Sequence, residues 1–233
     1  MKTCARSILI VGFSLALLSG AAFSDTDSMN CNVKSPSSHV QLAPEDTNTA
    51  SRLQLSRPVA AEAEIELNLC GGDLSLVSSR SNTLKITVEV GEASGQRLAG
   101  DYLEILQVDP HKARVGLHLA QTSKARVTIE IPSNSRDLDV NLARGNLTLA
   151  ADQIGGERTI NVGYGHVEMQ GNEDSYEGLQ VNIGLGSLHD HRKNGENHHF
   201  IVAHSASGTG RGAIEINVGM GHVDLDASGS KPI

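Results

Sequence analysis

The segment that decides the fold runs from Ile160 to Met169 and has the sequence INVGYGHVEM. The chain holds five copies of its pattern: aliphatic-Asn-aliphatic, two variable residues, Gly, one variable residue and a final aliphatic residue. Alternation on both sides of a fixed glycine is typical of two β-strand segments joined at a sharp corner. The other copies are LNLCGGDLSL from Leu67, VNLARGNLTL from Val140, VNIGLGSLHD from Val181 and INVGMGHVDL from Ile216.

The spacing of the copies predicts that they stack on one another. Val140 and Ile160 are 20 residues apart and Ile160 and Val181 are 21 apart, whereas Ile216 follows Val181 by 35. Repetition at a near-constant step is typical of a solenoid, in which each coil packs on the one before it. We therefore predict an all-β fold, a β-solenoid (β-helix-like) of about 20-residue coils with a more irregular N-terminal β region. The longer step holds a polar insertion and a predicted strand at 200–203.

Stacking places equivalent residues of neighbouring copies about 4.8 Å apart, so that they form ladders. Asparagine amides in such a ladder can hydrogen-bond along the stack, and glycine allows a positive φ or a close backbone approach at each corner. In the copy from Ile160, alternation predicts that Val162 and Val167 point inward and that His166 points outward. The predicted asparagine ladder is Asn68, Asn141, Asn161, Asn182 and Asn217, and the predicted glycine corners are Gly72, Gly145, Gly165, Gly186 and Gly221.

The N-terminus has the features of a signal peptide. Lys2 and Arg6 precede an apolar stretch at 8–18 that is too short to span a membrane, and Ala22-Phe23-Ser24 supplies small residues for cleavage. We predict that residues 1–24 are removed and that the protein is exported to the periplasm, the extracellular space or the cell surface. No later segment is long and apolar enough to predict a membrane span.

The composition divides the remaining chain into three parts. Residues 25–60 are rich in Ser, Asp, Asn, Thr and Pro and are predicted to form a flexible polar leader. Alternation then predicts the β-solenoid domain at 61–228, followed by a C-terminal tail at 229–233. Cleavage would leave Cys31 and Cys70, and a pair of cysteines in an exported protein indicates a disulfide, with two free thiols as the alternative.

The composition also bears on the class of partner. A net charge of −8, with scattered basic residues, argues against nucleic-acid binding. Aromatic residues make up 3% of the chain and tryptophan is absent, so the usual stacking platform for sugars is missing. A core of Val, Ile and Leu suits the narrow interior of a coil.

One stretch resembles a known family. Residues 127–149 have the sequence VTIEIPSNSRDLDVNLARGNLTL and are followed by the glycine-bearing repeats. In this they resemble the bacterial "putative adhesin" family of exported β-solenoid domains, over about Ala61 to Leu225. The resemblance implies no catalytic residues. We expect a non-enzymatic adhesin or cell-envelope scaffold that has no cofactor and binds a protein or glycan of the envelope through a ladder-lined face.

Two other functions stay open. A polysaccharide-active β-helix enzyme needs clustered carboxylates in a groove, and the candidates Glu168, Asp190 and Asp224 are spread over different copies. Alignment puts Glu168 and Asp224 at the repeat position of His189, so stacking in chain order predicts His189 between two carboxylates. A periplasmic metal binder for Zn²⁺ or Cu²⁺ could use the histidines around the insertion, which could equally be a solvated polar loop. Those histidines are His189, His191, His198, His199 and His204.

Overall fold

A computed structural model describes residues 31, 40–91, 98–119, 124–193 and 195–227. The predicted signal peptide and C-terminal tail, and most of the predicted leader before residue 40, lie outside the described residues. The fold is all-β, as predicted, with 65% of residues in strands. The helical elements of the described part are two short 3₁₀ turns, Ala99–Tyr102 and Glu173–Ser175.

In the described residues, thirteen strands form one sheet that is not closed on itself. They are β1 (Thr47–Asn48), β2 (Arg52–Pro58), β3 (Glu64–Leu69), β4 (Gly72–Ser79), β5 (Thr83–Glu89), β6 (Leu103–Asp109), β7 (Lys112–Leu117), β8 (Arg126–Pro132), β9 (Asp137–Ala150), β10 (Glu157–Gln170), β11 (Gly178–Asp190), β12 (His198–Ser207) and β13 (Ala213–Asp226).

Four long strands each contain one copy of the repeat and pair in parallel in the order β9-β10-β13-β11. Stacking in chain order is therefore wrong for the last two copies, because β13 lies between β10 and β11. The insertion explains the change of order: it leads into β12, which returns antiparallel to β11 and occupies one edge of that strand. The other edge of β11 takes β13, which presents the same pattern as β10.

The first copy divides where the others bend. Its halves, β3 and β4, both pair with β9, which joins them to the regular strands. Beyond β3 the sheet continues to β7 and β6, and beyond β4 to β8, β5, β2 and β1, with parallel and antiparallel pairs mixed. The pairing on this side of the sheet is therefore less regular than among the four long strands.

Strand β2 contradicts the prediction that residues 25–60 form a flexible leader. It lies within the segment 25–60, yet Leu53 and Leu55 are buried and pair with Val88 and Ile86 of β5. The alternation Leu53-Gln54-Leu55 supplies an apolar face within an otherwise polar segment, and burying that face stabilises the strand. The described part of this segment therefore belongs to the folded domain.

The corner of each long strand shifts the alternation of side chains. In β9, Leu142 is buried before the corner, Arg144 is exposed at it, and Leu147 is buried after it. An uninterrupted strand would keep even-numbered residues inside, so the corner moves the inward face by one residue. Both halves of the strand consequently contribute to one apolar core.

Backbone contact explains why each corner holds a glycine. Gly165 has a φ of 155° and pairs with Gly145 on one side and Gly221 on the other. A Cβ atom on Gly165 would lie 1.7 Å from the carbonyl oxygen of Gly145, and one on Gly186 would lie 1.6 Å from that of Gly221. At the corners of the four long strands the side-chain position is thus filled by the backbone of the neighbouring strand, whereas at Gly72 the φ of 107° is what favours glycine.

The five predicted asparagines form a continuous hydrogen-bonded ladder. Each Nδ2 donates to the Oδ1 of the next amide, from Asn182 to Asn217, Asn161, Asn141 and finally Asn68, at 2.9 to 3.1 Å. Asn68 in turn donates to Oε1 of Glu66 at 2.9 Å. All donors therefore point one way, and the ladder ends on a carboxylate that also pairs with Arg114.

Removing one amide from the middle of this ladder is expected to be costly. In Asn161→Ala the Nδ2 of Asn217 loses one of its two acceptors and keeps Glu215, and the Oδ1 of Asn141 loses its donor, so the free energy of unfolding should fall by about 1–2 kcal/mol. Urea unfolding measures the change. Thr159→Ala, at the preceding outward position of β10, is the control and should cost clearly less; equal losses would mean that the ladder adds nothing.

The cysteine pair expected from the sequence is joined in the structure. The Sγ atoms of Cys31 and Cys70 lie 2.07 Å apart and their Cα atoms 5.2 Å apart. The bond attaches residue 31, from the predicted leader, to the corner of the first copy.

Candidate functional site

The outward face beyond the corners carries a cluster of histidines around one aspartate. His166 and His222 are in register on β10 and β13, directly after the corner glycines. Two residues further along, Asp224 of β13 is in register with Glu168 of β10 and His189 of β11. We call His166, His189, His191, His222 and Asp224 the Asp224 cluster.

Both carboxylate oxygens of Asp224 contact imidazole nitrogens. Oδ2 lies 2.8 Å from Nε2 of His166, and Oδ1 lies 3.0 Å from Nδ1 of His189. The ring of His222 stacks on that of His166, with 4.1 Å between centroids. The metal-ligating atoms of His166, His222 and Asp224 all lie within 4.8 Å of one another, and so do those of His189, His191 and Asp224.

The electrostatics of the cluster favour a neutral ring at His222. Partial burial lowers the pKa of His222 below its ordinary value, and the neighbouring His166 acts in the same direction. A neutral imidazole has a lone pair available to accept a proton or to bind a metal ion.

The strand order changes the predicted charge ladder. Because β13 lies between β10 and β11, Asp224 is the middle residue, and His189 contacts one carboxylate rather than two. His166 and His222 were missing from the predicted histidine set, although the copies from Ile160 and Ile216 both contain Gly-His-Val followed by an acidic residue. That shared tetrapeptide is the signal that identifies them.

The structure divides the histidines predicted around the insertion into two groups. His189 and His191 belong to the Asp224 cluster, and the ring of His199 lies 6.0 Å from that of His189. His198 and His204 instead face each other at 5.5 Å between ring centroids.

Asp190, a carboxylate candidate, has a structural role. It occupies the core position held by Leu225 in β13, is 9% exposed, and accepts hydrogen bonds from Arg192 Nε at 2.8 Å and Nη2 at 2.6 Å. Burial raises the pKa of Asp190, but the hydrogen bonds and charge of Arg192 outweigh it and hold that pKa below its usual range. Arg192 also donates to the hydroxyl of buried Tyr176.

Stability is expected to depend on pH through His204. Burial lowers the pKa of His204 below its ordinary value of 6.5, with a smaller effect of His198, so the unfolded chain binds the proton more tightly. The stability that the neutral His204 ring contributes is complete above about pH 6.5 and is lost as the pH falls through the pKa of His204 in the folded state. Urea unfolding above and below this pH range should show that the free energy of unfolding falls less at acidic pH for His204→Gln than for wild type. His111→Gln, which changes an exposed histidine, is the control. If His204→Gln loses as much unfolding free energy at acidic pH as wild type does, His204 is not the group responsible.

A second surface feature crosses the strands at the corners. Tyr164, Met220 and Leu185 precede the corner glycines of three adjacent strands and are 50%, 45% and 50% exposed. Phe200 and Ile201 continue the feature on β12, at 76% and 78% exposure. We call these five residues the apolar ridge.

The apolar ridge has a charged side chain at one end and an edge strand at the other. At one end the guanidinium of Arg144 lies 5.0 Å from the centroid of the Tyr164 ring. At the other end is β12, which pairs with β11 alone among the described strands. Phe200 has a positive φ of 75°, next to a register shift opposite Ile183 to Gly186.

Comparison with known proteins gives a distant likeness to a solved structure. Neither a family model nor a curated protein matches the chain. Among solved structures, the chain is similar to a putative cell adhesion protein from Clostridium sporogenes ATCC 15579, at 15% identity and a TM-score of 0.44. The match covers 75% of this chain and 98% of that one. A likeness of this size assigns neither a partner nor an activity to the chain.

Helices capable of crossing a bilayer do not occur in the described residues.

Proposed function

We propose that this protein is an exported, adhesin-like interaction module of β-solenoid type, and that it binds a protein of the cell envelope through the apolar ridge. The observation that carries the proposal is the exposure of five large apolar side chains in one band across four strands. Clustered exposed apolar side chains rimmed by polar residues commonly mark interaction sites.

The chemistry of the ridge favours a protein over a glycan. Met220, Leu185 and Ile201 offer aliphatic surface, which suits apolar side chains better than the hydroxyl groups of a sugar. The edge of β12 that pairs with no described strand adds backbone donors and acceptors to which an extended segment can pair as a further strand. An extended peptide with apolar side chains is the partner that satisfies both features.

Phe200 supports a binding role through its backbone conformation. A bulky residue at positive φ costs about 1–2 kcal/mol relative to glycine, and a ring that is 76% exposed recovers little of that through burial. Backbone strain of this kind is concentrated at functional sites. Phe200→Gly should therefore unfold at the same or higher urea concentration than wild type while binding the partner more weakly.

The carboxylates support a non-enzymatic role. Asp190 is engaged by Arg192 in the interior, and Asp224 is held between two imidazoles, so both carboxylates already have partners, whereas glycoside hydrolysis requires a pair of carboxyl groups that can act on the sugar. Release of reducing ends from acidic or neutral glycans by the purified protein would contradict this part of the proposal.

The interaction is tested by saturation binding of the purified protein to native envelope preparations. The variant that combines Phe200→Asn and Ile201→Asn should bind at least tenfold more weakly than wild type. Ser205→Ala, an exposed change on the same strand, is the matched control and should bind as wild type does. Binding that survives the double change intact would exclude the ridge as the interaction surface.

A further inference from the structure

We propose that the Asp224 cluster binds divalent transition-metal ions of the Zn²⁺ or Cu²⁺ class. The ions occupy two adjacent positions that share the Asp224 carboxylate. His166 and His222 complete one position, and His189 and His191 complete the other. The inference is independent of the apolar ridge, because it uses a different row of side chains.

The distances already approach those of a metal site. Four ligands at 2.0–2.2 Å around a tetrahedral zinc ion lie about 3.3 Å from one another. Nitrogen and oxygen atoms lie 2.8 Å apart in the His166–Asp224 pair and 3.0 Å apart in the His189–Asp224 pair. Side-chain rotations, which for His166 and His222 include unstacking of the two rings, would bring the ligand atoms to coordination distance of a common ion.

Asp224 is positioned to bridge the two metal ions because its two carboxylate oxygens face the two neighbouring strands. Oδ2 faces His166 on β10 and Oδ1 faces His189 on β11. Each position thus has two imidazoles and one carboxylate oxygen, with room left in the coordination sphere for solvent or a partner's side chain. Three protein ligands with an open position is a common arrangement for zinc.

The ligand types select the class of ion. Imidazole suits Zn²⁺, Cu²⁺ and Ni²⁺, whereas Ca²⁺ and Mg²⁺ require mostly oxygen ligands. Glu168 and Asp226 flank Asp224 in the sheet and add negative charge that attracts cations. Gln170 donates to Glu168 at 3.0 Å and holds that neighbouring carboxylate in place.

The scaffold holds the ligands in advance of binding. His166, His222, His189 and Asp224 lie on paired strands rather than on loops. The asparagine ladder and the glycine corners fix the register of those strands only a few residues away. Rigid strands that present preformed ligands are the arrangement from which precise metal sites are built.

The test measures Zn²⁺ uptake by the purified full chain after removal of metal with a chelator. We expect two ions per chain by calorimetry and by elemental analysis after desalting. Asp224→Asn should weaken uptake at least tenfold, and His166→Gln and His189→Gln should each remove one ion. Co²⁺ added in place of Zn²⁺ should give visible absorption bands that Asp224→Asn abolishes.

Two histidine variants outside the cluster serve as controls. His111→Gln lies on a distant exposed position, and His204→Gln belongs to the other histidine pair, so both should bind Zn²⁺ as wild type does. Circular dichroism establishes that each variant is folded. Absence of Zn²⁺ uptake by wild type at micromolar concentrations, or uptake that Asp224→Asn leaves unchanged, would overturn the proposal.

Discussion

Gly165→Val is expected to cost at least about 3 kcal/mol of unfolding free energy and to leave much of the protein unfolded. The added Cβ would lie 1.7 Å from the carbonyl oxygen of Gly145, inside the contact distance of any two non-bonded atoms. The φ of 155° adds to the cost, since residues with side chains rarely adopt it. Relief requires β9 and β10 to separate, which breaks the parallel pairing at the corner.

Gly178 provides the matched control. It begins β11, and a Cβ atom built there meets nothing within 4 Å. Gly178→Ala should therefore change stability by less than about 1 kcal/mol, and in the stabilising direction if the unfolded chain loses freedom. Urea unfolding and far-ultraviolet circular dichroism measure both variants. Similar behaviour of the two would show that backbone contact at the corner is not what requires glycine.

Arg158→Leu is expected to lower the free energy of unfolding by about 2–4 kcal/mol, although leucine matches the repeat better. Arg158 occupies the register position held by Leu138 and Ile214 on the neighbouring strands and is 1% exposed. Its guanidinium donates to backbone carbonyl groups of three connections between strands. The acceptors are the oxygens of Ala151 at 2.9 Å, Ile154 at 2.6 Å, Ser175 at 3.3 Å, Arg211 at 2.9 Å and Gly212 at 3.5 Å.

Arg158 is unusual because it is a charged side chain that is buried, so its replacement tests how the buried charge is stabilised. Burial lowers the pKa of Arg158 to about 10, so the side chain stays charged at neutral pH and relies on the carbonyl groups for solvation. Leucine would restore an apolar core position but leave those carbonyls without their donor. Arg126→Met, which changes an exposed arginine in a weak ion pair, should stay within about 0.5 kcal/mol of wild type. A stabilised Arg158→Leu would show that the carbonyls find other donors.

The local features of the fold could be predicted from sequence, whereas the order of strands could not. The Asn161 and Gly165 ladders follow from alignment of the copies, because identical residues at a fixed step must meet when strands pair in register. The position of β13 does not follow, since β11 and β13 carry the same repeat pattern and either of them could pair with the free edge of β10. The burial of Leu53 was missed because two leucines in a polar segment give a weak signal.

The candidate site was predictable only in part for the same reason. His189 and Asp224 meet because they share a repeat position, but which residue is central depends on strand order. His166 and His222 come from distant copies and gain a common role only when those copies become neighbours. Asp190 takes the inward repeat position of Met169 and Leu225, but its partner Arg192 lies in the insertion, where periodicity gives no guidance.

The position of β13 between β10 and β11 has a consequence for how the chain reaches its native state. Both neighbours of β13 precede it in the chain, and their matching patterns allow them to pair directly with each other before β13 is available. That premature pair would satisfy the same ladders and would have to open again to admit β13. We therefore expect refolding to show a slow step that low concentrations of urea accelerate, and single-phase refolding with a linear dependence on urea would argue against such a trap. The repeated pattern that stabilises the native sheet thus also stabilises a non-native pairing of β10 with β11 during folding.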